Sequence, residues 1–348
     1  MPENFISNMF VECGFAAFEE EDWLYSRYCN QPVCFGGNRV IHFCAAHGLW
    51  EMAFQFVYKR KASAVATNSL GWSATTAAAI YDQADFIYAT YGKKTNSIPN
   101  IETVLRYVAV CASVETLKLL LNSTFNTSTF ARIYEDGKTL LHFATLGSFH
   151  AEPHLTQSCP TTACVCPNQT YVKDDNNKDQ KRFVTIVLLT EVLQPNINEK
   201  DKYGRTALHY AAVRALLDVV KRLVLEESDW NIKDQRGDTP LEFTLRESPL
   251  RSQPFLPCRT TADQVFRSCS STIFDETVSY LIMLQNSTIS KCDIGTDKLL
   301  GYLFHHRLPL SLYALFKFGA DINCNPEHFK RYLNEAASII AGAGVMTK

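Results

Sequence analysis

Three histidines stand where a ring base could act on a neighbour: His42 lies two residues before Cys44, His209 directly precedes Tyr210, and His142 sits in a similar apolar setting. Such pairs are the raw material of nucleophilic catalysis. Asp174 and Asp175 supply two adjacent carboxylates, the usual currency of acid/base chemistry, but in a polar stretch with no partner base in view. His150, His154, Cys159, Cys164 and Cys166 are zinc-ligand types, of which a closed site needs four held tetrahedrally. The gaps between the cysteines are not of the C-x-x-C kind and no second pair follows downstream, so a loop carrying thiols is expected there, with no metal. No Gly-rich phosphate loop ending in Lys-Ser/Thr, no G-x-S-x-G and no H-E-x-x-H occurs. The expectation is a chain with no catalytic residue and no cofactor.

The elements that position these histidines explain them better than chemistry does. Asp201, Gly204, Thr206 and Leu208 recur 33 residues on as Asp234, Gly237, Thr239 and Leu241. With Leu208 as anchor, the same register falls on Ile41, Thr75, Leu105, Leu141, Leu241, Leu300 and Leu333. Glycine stands four places before the anchor at Gly37, Gly71, Gly137, Gly204 and Gly237. Ser or Thr stands two before it at Ser73, Thr103, Thr139, Thr206 and Thr239. Small residues follow at Cys44/Ala45, Ala78/Ala79, Ala211/Ala212 and Ala336/Ala337. Each column has a physical job. Asp before Gly makes a tight tip where Gly supplies a positive φ. The Thr caps a first helix. The anchor opens a buried stripe, and the small pair lets helices approach closely.

The pattern D-x-x-G-x-T-P-L-H-x-A-A, an apolar second helix and a closing G-A-D-x-N (here Gly319 to Asn323) resembles the ankyrin repeat. The resemblance implies an all-α solenoid of helix-turn-helix units with short β-hairpin fingers, about seven repeats plus terminal helices. It makes His42, His142, Thr206, His209 and Thr239 structural, each His hydrogen-bonding between units beside its Thr. It implies a non-catalytic adaptor or scaffold that holds a protein partner on its fingers and first helices. The variable finger positions are Ser69, Leu70 and Trp72, then Lys202, Tyr203 and Arg205, then Gln235, Arg236 and Asp238. Aromatics and Arg are typical interface anchors, which singles out Trp72, Lys202, Tyr203, Arg205, Gln235 and Arg236 as partner-binding. For Trp72, folding back on the next hairpin is the competing arrangement. The resemblance also makes Asn231 and Asn323, each two residues after an Asp, candidate substrates of an asparaginyl hydroxylase. The alternative reading is the N-terminal ankyrin portion of a larger protein, such as a channel, a receptor or a ubiquitin-ligase substrate receptor.

Net charge is −2, from 34 basic and 36 acidic residues, which gives no electrostatic reason to expect nucleic acid as partner. No run of eighteen apolar residues and no signal-peptide pattern is visible, so membrane insertion is not expected, and twelve cysteines then read as reduced thiols in the cytoplasm. The organisation expected is a capping segment at 1–35, the repeat array at 36–325 and a C-terminal helix at 326–348, either a cap or a truncated eighth repeat. Two excesses over the period fall near 149–182 and 247–273, between the two helices of their units. Leu208, Ala211, Ala212, Val220 and Leu223 are expected to be buried.

Overall fold

The computed structural model describes residues 30, 32, 37–92, 98–122, 133–134, 136–151, 175–193, 196–247, 261–285, 299, 302–303 and 308–317. The expected terminal segments (but for residues 30 and 32), the anchors Leu300 and Leu333, Asn323 and the zinc-type residues His154, Cys159, Cys164 and Cys166 lie outside them. The chain divides into two compact units, Met1–Pro195 and Asn196–Lys348.

In the first unit, helices come in antiparallel pairs: α1 (Val40–Ala46) with α2 (Trp50–Arg60), α3 (Ala74–Ile80) with α4 (Ala84–Tyr91), α5 (Ile101–Cys111) with α6 (Val114–Leu121), and α7 (Leu140–Ala151) with α8 (Asp175–Leu193). First helices pack in series, α1 on α3, α3 on α5 and α5 on α7, and the second helices form a parallel series behind them. The second unit holds α9 (Ala207–Val213), α10 (Leu217–Leu225), α11 (Pro240–Glu247), α12 (Thr261–Leu284) and α13 (Pro309–Lys317). There α9 packs on α11, α10 on α12, and α12 on α13. This is the helix-pair solenoid that the repeat implies. Among the described residues there is no strand. The fingers are tight turns, each closed by a bond such as Asp201 N–H to the Arg205 carbonyl (2.9 Å), too short to build a ladder.

The register repeats in the backbone even where the motif fades. Seven residues after the anchor, at the turn between paired helices, φ is positive at Gly48 (70°), Asp82 (58°), Ala112 (58°) and Ala215 (55°). The following amide then reaches back to the first helix each time: Leu49 to Cys44, Gln83 to Ala78, Ser113 to Val108, Leu216 to Ala211. The units anchored at Thr75 and Leu105 are thereby as regular as the others. In the second of these, Thr103 does not cap. Helix α5 starts at Ile101 behind Asn100, because no hairpin glycine precedes it to set the start.

The core is the anchor stripe with its small pairs. Leu208, Ala211, Ala212, Val220 and Leu223 are fully buried, as are Ala45, Ala78, Ala79, Leu105 and Leu141. Helix occupies the C-terminal ends of both insertions. Helix α8 begins at Asp175, and Asp174 lies outside the described residues. Arg182 is buried and donates to the Ala144 carbonyl of α7, anchoring that early turn. Helix α12 likewise begins at Thr261. Near its middle the buried Asp275 caps α13. Its Oδ2 accepts from Leu310 N–H (2.8 Å) and its Oδ1 from Ser311 N–H (2.9 Å) and the Ser311 hydroxyl (2.5 Å).

Candidate finger interface

The residues at the head of each first helix form a local circuit. In α9 the Thr206 N–H donates to Nδ1 of His209 (3.1 Å), and the Thr206 hydroxyl also meets Nδ1 (3.0 Å). An Nδ1 that accepts a backbone N–H leaves the ring proton on Nε2, which faces the Asp238 carbonyl of the next finger at 3.2 Å. His42 repeats the arrangement, accepting from Arg39 N–H (3.1 Å) and reaching the Trp72 carbonyl (2.9 Å). His142 takes the Thr139 N–H at 3.1 Å. In α11 Glu242 occupies the His column and accepts the Thr239 N–H (2.8 Å), a capping box. His42 and His209 are thus bound up in holding adjacent repeats together, and His142 in the head of its own helix. Burial, the largest cause, pushes His209 down to about 4, against which the Asp238 carbonyl works. Cys44, beside His42 in sequence, is buried and pushed up to about 12, a thiol rather than a thiolate.

The fingers are built by their leading Asp. Asp201 Oδ1 accepts from Tyr203 N–H and Arg205 N–H, both at 2.9 Å, while Oδ2 takes the Tyr210 hydroxyl at 2.5 Å. Asp234 Oδ1 accepts from Arg236 N–H (2.8 Å) and Asp238 N–H (3.0 Å). Burial works against the Asp234 charge, but the N–H groups of Asp238 and Arg236 and the Arg205 guanidinium hold its carboxyl below the usual range. Gly204, at φ +76°, closes its turn by donating to the Asp201 carbonyl at 2.9 Å. Adjacent fingers are tied together. Gln235 N–H donates to the Tyr203 carbonyl (2.9 Å) and its side-chain amide to the Lys202 carbonyl (2.7 Å).

This geometry sorts the six candidate partner-binding residues. Lys202, Tyr203 and Arg236 are exposed at the tips of two joined fingers, Lys202 lying 5.1 Å from the Tyr203 ring centre and Arg236 pairing with Glu247 at 3.0 Å. Gln235 is exposed but committed to the neighbouring finger. Arg205 is not a free contact. Its guanidinium lies 4.3 Å over Phe243 and meets Asp234 at 3.4 Å, with only 17% of the side chain exposed. Trp72 is not exposed either. At 1% exposure it packs edge-on against Tyr107, 5.3 Å between ring centres, so the fold-back arrangement is the one adopted.

Both corrections have one cause. The residue after the finger glycine returns the chain to the helix, so its side chain points inward. Asn38, Trp72, Lys138 and Asp238, which share that column, are all buried. The signal was available in the register: in the two joined fingers the exposed positions are the two between the leading Asp and its glycine.

Residues 188–243 match the family described as ankyrin repeats (many copies). A putative ankyrin repeat protein of Acanthamoeba polyphaga mimivirus is 36% identical over 55 residues, 16% of this chain, and those residues span 8% of that protein's length. Among solved structures, the ankyrin repeat domain of Bcl-3, a member of the IkappaB protein family, has a TM-score of 0.41 at 18% identity over 68% of this chain and 86% of its own. A chain from the complex of a predatory endopeptidase of Bdellovibrio bacteriovorus with an immunity protein has a TM-score of 0.40 at 17% identity, covering 60% of this chain and 92% of that one. The family match covers both fingers and the Thr206–His209 circuit described above, and residues 188–243 carry ankyrin-repeat sequence.

Proposed function

We propose that this chain is a non-catalytic scaffold or adaptor, working in the cytoplasm, that docks a protein partner on the joined fingers of residues 200–206 and 233–239. The observation that carries the reading is the division of labour in those fingers. Asp201, Asp234, Gln235 and Arg205 hold the turns and tie them together, while Lys202, Tyr203 and Arg236 are exposed at the finger tips. A half-exposed Tyr beside cations is a typical interface anchor.

Replacing Tyr203 and Arg236 together by Ala should leave the melting temperature nearly unchanged, since such surface changes stay within about 0.5 kcal/mol each. Binding of a partner recovered by affinity purification should weaken by about 2 kcal/mol or more. The competing site is the remaining insertion, and it is tested by deleting 152–174 while sparing α8 and its Arg182 anchor. If the deletion abolishes binding and the double variant binds normally, the finger assignment is wrong.

Asn231 fits the hydroxylase reading. It is exposed, and its N–H is held by Asp229 Oδ1 at 2.8 Å. Peptide mass spectrometry after incubation with an asparaginyl hydroxylase should show one added oxygen at Asn231; an unmodified Asn231 with the enzyme active on a control repeat ends that reading.

A further inference from the structure

The two joined fingers carry charges of both signs in sequence but not at the surface. Their acids, Asp201, Asp234 and Asp238, are all buried: Asp201 and Asp234 turn onto the fingers' own N–H groups, Tyr210 and Arg205, and Asp238 Oδ1 meets Arg246. Their bases, Arg205 excepted, face outward: Lys200, Lys202, Lys233 and Arg236 are exposed, with Tyr203 among them. These fingers therefore present a basic strip on a chain whose net charge is −2. On its border Glu199 accepts from the Asn196 side chain (2.9 Å) and Glu247 from Arg236 (3.0 Å).

We propose that the partner presents an acidic segment of polypeptide to this strip, its carboxylates meeting Lys202 and Arg236 and an apolar side chain lying on Tyr203. The inference rests on the finger-docking reading and specifies the chemistry of what docks. Charge complementarity argues for the sign of the partner. The Arg236–Glu247 pair argues for the group, because a carboxylate already sits on this guanidinium and a partner carboxylate can take its place. A nucleic acid is the poorer fit. Two finger tips supply four cations, without the extended basic track along which a phosphate backbone is held.

The test is selection from a random linear-peptide library on the intact chain, with binding of the selected peptides measured by fluorescence anisotropy. Peptides rich in Asp and Glu should be enriched, and their affinity should fall as salt is raised. The Lys202→Glu/Arg236→Glu variant should bind them about 10-fold or more weakly, while Lys221→Glu, exposed on α10, should bind them as before. Glu247→Gln should bind them several-fold more tightly by freeing Arg236, a gain that a folding defect cannot imitate. Enrichment of basic or uncharged peptides that are lost on Tyr203→Ala would overturn the acidic partner yet leave the fingers as the docking face. Enriched peptides insensitive to every one of these substitutions would overturn both. Equal or tighter binding of oligothymidylate, lost in the charge-reversed variant, would overturn the peptide in favour of nucleic acid.

Discussion

Leu208→Ala should cost about 3 kcal/mol of folding free energy, within the usual range of about 2–5 for a buried Leu truncated to Ala. Leu208 is completely buried on α9, which packs against both its pair α10 and the first helix α11 of the next repeat. Its neighbours Ala207, Ala211 and Ala212 are already small, so they have no side chain to swing into the space left behind. The cavity persists and adds to the lost transfer energy. Leu225→Ala is the matched control, because Leu225 is 77% exposed and should change stability by less than about 0.5 kcal/mol. Urea unfolding followed by far-ultraviolet circular dichroism measures both. A loss below about 1 kcal/mol at Leu208 would remove the anchor column from the core and the repeat register with it.

The second large effect is on pH dependence. His209 titrates near 6.5 when unfolded and is pushed to about 4 when folded, first by burial. A depressed imidazole means that the unfolded chain binds the extra proton between those values. Stability from this residue is therefore complete above about 6.5 and is lost as pH falls towards about 4, a total of about 3 kcal/mol. Both nitrogens are already engaged, Nδ1 by Thr206 and Nε2 by the Asp238 carbonyl, so a second proton has to displace the Thr206 N–H. Carboxylates also titrate near the lower limit, so the quantity to measure is the difference between the parent chain and His209→Gln. The parent should lose about 3 kcal/mol more than the variant between neutral pH and pH ~4. Parallel curves for the two proteins would show that the ring is not held neutral by its surroundings.

Those two residues were legible in the sequence because they belong to columns whose jobs are local. A cap, an anchor and a small pair act within one turn of helix, so their spacing is the same wherever the unit recurs. What was not legible depends on neighbours far along the chain. Trp72 and Arg205 are long side chains after a finger glycine, and composition marks them as contact residues. Their column turns them inward, but what they pack on, Tyr107 and Phe243, lies 35 and 38 residues on. The polar run at 175–181 lacks apolar periodicity, yet it is helical because Arg182 behind it is pinned to α7. Asp275 gives no sign in sequence that its carboxylate is the cap of a helix starting at Pro309. Of the candidate site, the finger tips Lys202, Tyr203 and Arg236 were placed at the surface by pattern alone, and the inward turn of their acidic neighbours was not.

Gly204 carries no side chain, yet it sets how closely the two fingers approach. A methyl group there would stand 3.0 Å from the Gln235 nitrogen and 3.3 Å from the Asp234 carbonyl carbon and Cα. Gly237, in the following finger, has open space at the same point. The missing side chain at 204 is what lets the second finger close down on the first, so it acts as the gauge of the distance from Lys202 to Arg236. A side chain at this position, where φ is already +76°, would hold the two fingers further apart, so the spacing between their tips is written into an atom that is not there.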